Sequence, residues 1–146
     1  MRILFINGPN LNLLGEREPS VYGQATLEQI NNKIRDRARE AGVEVVFSQS
    51  NHEGEIVETI QRARKQFDAL IVNPAAFTHT SVAIRDALLA VDIPTIEVHL
   101  SNPAKREPFR QKSLISDVVI GIIAGFGENS YYLAFQAAVE FLGKKE

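Results

Sequence analysis

Five short apolar runs recur along the chain, and the segments between them have helical periodicity. The runs cover residues 3–6, 43–47, 69–72, 95–98 and 118–124. Each run is continuously apolar rather than alternating with polar residues, which is typical of strands that are buried on both faces. The pattern therefore predicts five strands of a sheet that helices cover on both sides.

The clearest helical segment lies between the first two strands. It carries an apolar stripe at Leu27, Ile30, Ile34 and Ala38. Residues at these intervals share one face of a helix. Thr26 and Gln29 have the spacing of a capping box at the start, and Gly42 is a typical residue just after a helix end. The sequence predicts a helix between these signals.

Three further segments show the same organisation. Their apolar or capping positions are Ile56, Ile60, Ala63 and Phe67 in the second helix, Ser81, Ala87 and Leu88 in the third, and Ala134, Ala137, Ala138 and Phe141 in the last. Strands that alternate with helices favour a parallel sheet joined by right-handed crossovers. We therefore expect one domain over residues 1–146, an α/β three-layer α/β/α sandwich with a flavodoxin-like five-stranded parallel sheet of order 2-1-3-4-5.

Polar side chains follow the first, third and fourth strands at the point where each strand ends. These clusters cover residues 7–10, 73–81 and 97–101. In the expected strand order the three strands are neighbours, and loops that leave the carboxyl ends of neighbouring parallel strands meet at one crevice. The sequence thus predicts an active site there. Residues 8–23 form the longest irregular stretch, and a loop of that length in a small domain is usually functional, so we expect it to act as a lid.

Two of the three histidines are candidates for chemistry. His99 follows Glu97 by two residues, so both side chains leave the same face of the strand. A carboxylate that orients an imidazole makes a general acid or base, although a strand-end histidine beside a buried acid is the alternative. His79 lies among hydroxyl side chains and is either a site residue or an ordinary hydrogen-bonded loop histidine. His52 is expected at a solvent-facing helix start, away from the site.

Arg17 and Tyr22 are close together in the predicted lid. A guanidinium group beside a phenol stabilises the phenolate, so a tyrosine base becomes possible if the loop closes over a partly dehydrated site. The alternative is an ordinary loop aromatic beside a solvated charge.

Composition and motif content exclude several classes of partner and of catalytic group. The formal net charge of −2 gives no electrostatic reason to expect binding to nucleic acid or to an anionic membrane. Cysteine is absent, which excludes disulfides and thiolate catalysis. The histidines lack zinc-site spacing, and no G-x-G-x-x-G or Walker lysine follows a strand, so we expect no metal and no cofactor. Since no signal-peptide or membrane-spanning pattern is present, the expected location is the cytoplasm.

Several motifs together resemble those of the type II 3-dehydroquinate dehydratases. They are Asn7-Gly8-Pro9-Asn10-Leu11-Asn12-Leu13-Leu14-Gly15, Arg17-Glu18-Pro19, Tyr22-Gly23, His79-Thr80-Ser81, Glu97-Val98-His99 and Ser101-Asn102. The likeness covers nearly the whole chain, and the order and spacing of the blocks make it specific.

The resemblance implies a cofactor-free trans elimination of water from 3-dehydroquinate to 3-dehydroshikimate, a step of the shikimate pathway. It assigns Tyr22 as the base, kept ionised by Arg17. Asn10 helps to hold the enolate intermediate, and His99, oriented by Glu97, protonates the departing hydroxyl.

For substrate binding, the resemblance implies a set of six residues: Asn73, His79, Asp86, Leu100 through its backbone, Ser101 and Arg110. Asp86 corresponds to a residue that the family contributes from a neighbouring subunit. Arg110 alone would otherwise read as part of a solvated basic face. The family typically forms a homododecamer, a tetramer of trimers. The rival interpretation is a flavodoxin-like module that binds a nucleotide or flavin without lyase activity.

Overall fold

The structure is a computed structural model and describes residues 1–144, so the last two residues of the predicted domain lie outside the described residues. A parallel sheet of five strands has the order β2-β1-β3-β4-β5, which confirms the predicted topology. The strands are β1 (Arg2–Asn7), β2 (Glu44–Gln49), β3 (Ala69–Asn73), β4 (Thr95–His99) and β5 (Gly121–Ala124).

Helices cover both faces of the sheet. They are α1 (Pro19–Tyr22), α2 (Leu27–Ala41), α3 (Glu53–Ala63), α4 (Val82–Val91) and α5 (Asn129–Gly143). Successive side chains of β1 point to opposite faces, so Ile3 and Phe5 join a core with α2 and α5, whereas Leu4 and Ile6 join a second core with α3 and α4. The two cores make the three layers of the sandwich.

The predicted helix caps are present. The backbone N–H of Gln29 donates to Thr26 Oγ1 at 3.1 Å, and that of Thr26 donates to Gln29 Oε1 at 3.0 Å, which completes the capping box of α2. Gly42 ends the helix with a φ of 69°. The hydroxyl of Ser81 accepts from the backbone N–H of Ile84 at 2.9 Å and so caps α4.

The structure differs from the sequence prediction at the ends of two elements. β5 begins at Gly121 rather than at residue 118, because Val118 forms a turn with Ile115 and packs against the second core. Phe67 was placed on the stripe of α3, but the helix ends at Ala63. The chain then turns through Lys65, whose φ is 66°, and Phe67 packs on the same core from outside the helix.

The stretch over residues 8–23 is also more regular than predicted. It contains a 3-10 helix, Leu11–Leu13, and the short helix α1. Pro19 occupies the start of α1, where its fixed φ suits a helix and its missing N–H costs nothing. The prediction of an irregular loop was therefore wrong for these residues.

The register of the sheet brings the predicted polar clusters together. Asn7 pairs with Asn73 at the ends of β1 and β3, and Glu97 of β4 pairs with Val72 of β3. At Gly8 the chain passes so close to the next loop that an added Cβ would lie 2.4 Å from the carbonyl oxygen of Pro74, so only glycine fits. Within residues 1–144, no helix combines the length and apolar character needed to cross a bilayer.

Candidate active site

A cavity lies at the carboxyl ends of β1, β3 and β4, where the sequence predicts a site. Most of the candidate residues line it: Asn10, Arg17, Tyr22, Asn73, His79, His99, Leu100, Ser101 and Arg110. Glu97 lies behind His99 and reaches the cavity only through that histidine. Asp86 lies on α4, is exposed, and is not among the residues that line the cavity of this chain.

Tyr22 lies between two guanidinium groups. Cζ of Arg17 is 4.7 Å from the centroid of its ring, and Cζ of Arg106 is 5.0 Å away. Arg17 also approaches Glu18 at 3.8 Å, and Arg106 donates to the hydroxyl of Ser101 at 3.4 Å. All of these side chains except that of Glu18 line the cavity. The sequence predicted one arginine beside Tyr22, and the structure adds a second within cation–π distance of the ring.

Arg106 is thus a residue that the sequence interpretation missed. The resemblance assigns a role to Arg110 but none to Arg106. The chain forms two separate 3-10 helices, Pro103–Lys105 and Pro108–Arg110, and both arginines line the cavity. Pro108 prevents the first of these turns from continuing as one helix into the second.

Glu97 and His99 form a buried pair. Nε2 of His99 donates to Oε2 of Glu97 at 2.5 Å, and the carboxylate is only 2% exposed. Ser113 and Ser116 donate to its other oxygen at 3.0 and 2.7 Å. Burial opposes ionisation of Glu97, but the hydrogen bonds from His99, Ser116 and Ser113 together outweigh it and hold the pKa of Glu97 below its ordinary value.

This arrangement determines which nitrogen of His99 can act in the cavity. Because Nε2 is engaged by Glu97, Nδ1 is the ring nitrogen available to a ligand. The sequence predicted the shared face of Glu97 and His99, but the two serines come from a segment more than ten residues later and carried no recognisable signal.

His79 is held at one nitrogen and faces the cavity with its ring. Its Nδ1 donates to the backbone carbonyl of Lys112 at 2.8 Å, so Nε2 is the nitrogen left for a ligand. Arg110 forms an ion pair with Glu107, and this hydrogen bond lowers the pKa of the Glu107 carboxyl. His52 lies at the start of α3 and is exposed, as predicted.

The loop that carries Asn10 is held from β2, a strand to which the sequence analysis gave no part in the site. Asn10 has a φ of 68°, and its backbone N–H donates to Oδ1 of Asn51 at 3.0 Å. Nε2 of Gln49 donates to the carbonyl of Gly8 at 3.1 Å and to the same oxygen of Asn51 at 3.2 Å. Asparagine tolerates the left-handed conformation better than most residues, which suits it to this position.

In the part of the chain that the structure describes, no three histidine, aspartate or glutamate side chains are grouped so that they could hold a metal ion. The groups that meet in the cavity are instead a phenol beside guanidinium groups, a carboxylate-bound imidazole, and neutral amide and hydroxyl groups. Such a set can remove a proton, donate a proton and hold an oxygen-rich ligand.

Comparison with known proteins gives a consistent result. Residues 1–139 match the model of the family described as dehydroquinase class II. The 3-dehydroquinate dehydratase of Stutzerimonas stutzeri is 59% identical over 141 residues, which are 96% of each chain. The 3-dehydroquinate dehydratase 1 of Pseudomonas aeruginosa is 58% identical over the same length, again with 96% of each chain covered.

Solved structures agree with the sequence relatives. The crystal structure of the type II dehydroquinase from Butyrivibrio crossotus superposes with a TM-score of 0.92 at 46% identity, covering 94% of this chain and 97% of that one. The type II dehydroquinase from Propionibacterium acnes gives a TM-score of 0.90 at 41% identity, with 94% and 96% covered. The chain therefore belongs to the class II dehydroquinase family.

Proposed function

We propose that the protein is a type II 3-dehydroquinate dehydratase, a hydro-lyase that converts 3-dehydroquinate to 3-dehydroshikimate in the shikimate pathway. The observation that carries the proposal is that one cavity holds both a phenol between two guanidinium groups and an imidazole bound to a buried carboxylate. Family membership favours this lyase over the rival flavodoxin-like binding module.

The first step is removal of a proton from the carbon beside the ketone. Tyr22, as phenolate, takes this proton, and the electrons of the C–H bond move toward the carbonyl oxygen to give an enolate. Arg17 and Arg106 stabilise the phenolate before the transfer. Asn10, which lines the same cavity, stabilises the charge that develops on the enolate oxygen.

The second step expels the hydroxyl group. The enolate re-forms the ketone, a carbon–carbon double bond forms, and the bond to the hydroxyl breaks as His99 protonates the departing oxygen, so that water leaves. Glu97 holds the imidazole through Nε2, which leaves Nδ1–H to act as the general acid. The phenol of Tyr22 and the neutral imidazole then return to their starting states by exchange with solvent.

The remaining predicted residues bind the substrate. Asn73, His79, the backbone of Leu100, Ser101 and Arg110 line the cavity and offer hydrogen-bond donors and acceptors to the hydroxyl and carboxylate groups of a cyclic hydroxy acid. Asp86 would act on the site of a neighbouring subunit, within a homododecamer built from four trimers. Its exposed position on α4 suits such a contact. We place the enzyme in the cytoplasm as a single catalytic domain.

The direct test is an assay of the purified chain with 3-dehydroquinate. A conjugated enone should form and should raise the ultraviolet absorbance. Pretreatment with a chelator or with borohydride should leave the rate unchanged, since neither a metal nor a Schiff-base lysine takes part. Absence of turnover, or the release of a flavin or nucleotide on denaturation, would overturn the proposal in favour of the binding module.

A further inference from the structure

Three polar side chains form a buried group directly behind the cavity. Asn7 is 1% exposed, Asn73 is 4% exposed and Tyr131 is fully buried. Asn7 and Asn73 are paired across β1 and β3, and Tyr131 reaches the ends of these strands from α5. Only Asn73 of the three lines the cavity. The group therefore connects the substrate-facing surface to the core.

The hydrogen bonds of this group form a relay, in which Asn73 donates to Tyr131 and Tyr131 donates to Asn7. Nδ2 of Asn73 donates to the hydroxyl of Tyr131 at 2.9 Å, and that hydroxyl donates to Oδ1 of Asn7 at 2.5 Å. At the far end, Nδ2 of Asn7 donates to the carbonyl of Ser48 at 3.3 Å. At the near end, Oδ1 of Asn73 accepts from the backbone N–H of Ala75 at 3.0 Å.

This direction fixes the orientation of the Asn73 amide. If that amide turned over, its NH₂ group would face the N–H of Ala75, so that two donors would oppose each other. Its oxygen would then need the hydroxyl proton that Tyr131 gives to Asn7. Both changes leave buried polar groups without partners, which is strongly unfavourable. The amide nitrogen carries two hydrogens and Tyr131 uses one, so the second is available to an acceptor in the cavity.

We propose that Tyr131 is a positioning residue, which holds the Asn73 amide so that an N–H, and not the carbonyl oxygen, meets an oxygen of the bound substrate. The proposal rests on the proposed lyase function. It adds a requirement on the hydrogen-bonding character of the substrate atom that lies beside Asn73. The substrate oxygen beside Asn73 must accept a hydrogen bond, as a carboxylate, a carbonyl or a hydroxyl lone pair does.

The surroundings of Tyr131 suit a fixed donor rather than a base. Its ring stacks on Phe5 with centroids 6.3 Å apart and an interplanar angle of 11°. Burial raises the pKa of the Tyr131 hydroxyl well above its ordinary value. The raised pKa favours the protonated hydroxyl, which can then donate to Asn7 and keep the relay in its observed direction.

The test is a double-mutant cycle on enone formation with Tyr131→Phe, Asn73→Ala and the double variant. Phenylalanine keeps the ring packing and removes only the hydroxyl. We expect Tyr131→Phe alone to lower kcat/KM roughly tenfold, mainly through KM, because a substrate contact is misaligned. In the Asn73→Ala background the same change should alter kcat/KM by less than about twofold, because the group through which Tyr131 acts is already gone.

Tyr132→Phe is the matched control. Tyr132 is the next residue of α5, and its hydroxyl donates to Glu128 at 2.8 Å, away from the cavity. The Tyr132→Phe variant should have the same kcat and KM as the wild type. A merely structural effect of Tyr131→Phe would reduce the active fraction and so lower kcat at constant KM. It would also be equally large with and without Asn73, and either result would overturn the proposal.

A second variant covers the case in which Tyr131→Phe fails to fold. Asn7→Ala breaks the relay at its far end without touching the cavity. It should raise KM by a smaller factor, again only when Asn73 is present. A wild-type protein without turnover would refute the lyase itself. An active wild type with a fully active Tyr131→Phe variant would refute only the positioning function.

Discussion

Two tyrosines near the cavity have opposite surroundings. Tyr22 is half-buried at the end of a four-residue helix, with guanidinium groups 4.7 and 5.0 Å from its ring. Tyr131 is fully buried on a helix of 15 residues, between two neutral amides. Cations favour a phenolate, whereas burial between amides keeps a phenol protonated. Under the proposed mechanism, the tyrosine at the front of the cavity acts as the base and the tyrosine at its back acts as a fixed donor.

The contrast extends to the residues around each tyrosine. The front, formed by residues 8–23 and the arginines, uses charges that are partly exposed. The back, formed by Glu97, Asn73 and Tyr131, uses buried hydrogen bonds from several strands and helices. We therefore expect changes at the front to alter mainly the rate of proton removal by Tyr22. Changes at the back should alter substrate affinity, protonation of the departing hydroxyl by His99, and stability.

The largest effect is expected from Tyr22→Phe. Loss of the base should lower kcat by a factor of about 10² to 10⁴, the range typical of general acid–base catalysis, with far-ultraviolet circular dichroism unchanged. The measurement is the steady-state rate of enone formation by the Tyr22→Phe variant, compared with that of the Tyr132→Phe control. If Tyr22→Phe kept more than about half of the wild-type kcat, the front tyrosine would not be the base.

A smaller effect is expected from removing one of the two cations. Arg106→Met should lower kcat/KM at neutral pH by a factor on the order of 10, because the proposed phenolate loses one stabilising charge. Arg17→Met should act in the same direction. Arg62→Met, on the exposed face of α3, is the control, since Arg62 forms an ion pair with Glu58 and is not among the residues that line the cavity. A kcat/KM equal to that of the wild type in both site variants would show that the arginines do not act on the base.

The smallest effect concerns the stability of the back of the cavity. Because the folded pKa of Glu97 is lowered, its ionisation stabilises the fold above its ordinary value of 4.5, and this contribution is lost as pH falls through the folded pKa. Glu97→Gln lacks the contribution. The gap in thermal stability between wild type and variant should therefore shrink as the pH falls below about 4.5.

Thermal midpoints of both proteins, measured at one protein concentration between about pH 3 and pH 7, check this prediction. A gap that stays constant over the whole range would mean that Glu97 has the same pKa in the folded and unfolded chain.

The sequence predicted those features that depend on local pattern. The capping box at Thr26 and the shared face of Glu97 and His99 follow from local spacing, and the structure contains both. The strand order was predicted from the flavodoxin-like pattern, which makes the three strands with polar ends neighbours, and the sheet has this order. The predicted site residues, apart from Glu97 and Asp86, line one cavity because parallel strands place their carboxyl ends side by side.

Features that depend on distant contacts were not predictable in this way. Tyr131 bonds to Asn7 across 124 positions of sequence, and on pattern alone it reads as one more apolar position of α5. Arg106 reads as a solvated charge until the prolines beside it are seen to turn the chain toward Tyr22. Tertiary packing determines both the hydrogen bond of Tyr131 and the position of Arg106. Neither follows from the local spacing of residues in a single sequence.

The most direct measurement is a crystal structure of the protein with an unreactive cyclic hydroxy acid shaped like the substrate. We predict that the ligand occupies the cavity with the Tyr22 hydroxyl at the carbon beside the carbonyl position and Nδ1 of His99 at the departing hydroxyl. Tyr131 should remain behind Asn73 without touching the ligand. A structure in which Tyr22 and His99 open onto separate pockets, or in which Tyr131 itself contacts the reacting carbon, would contradict the account.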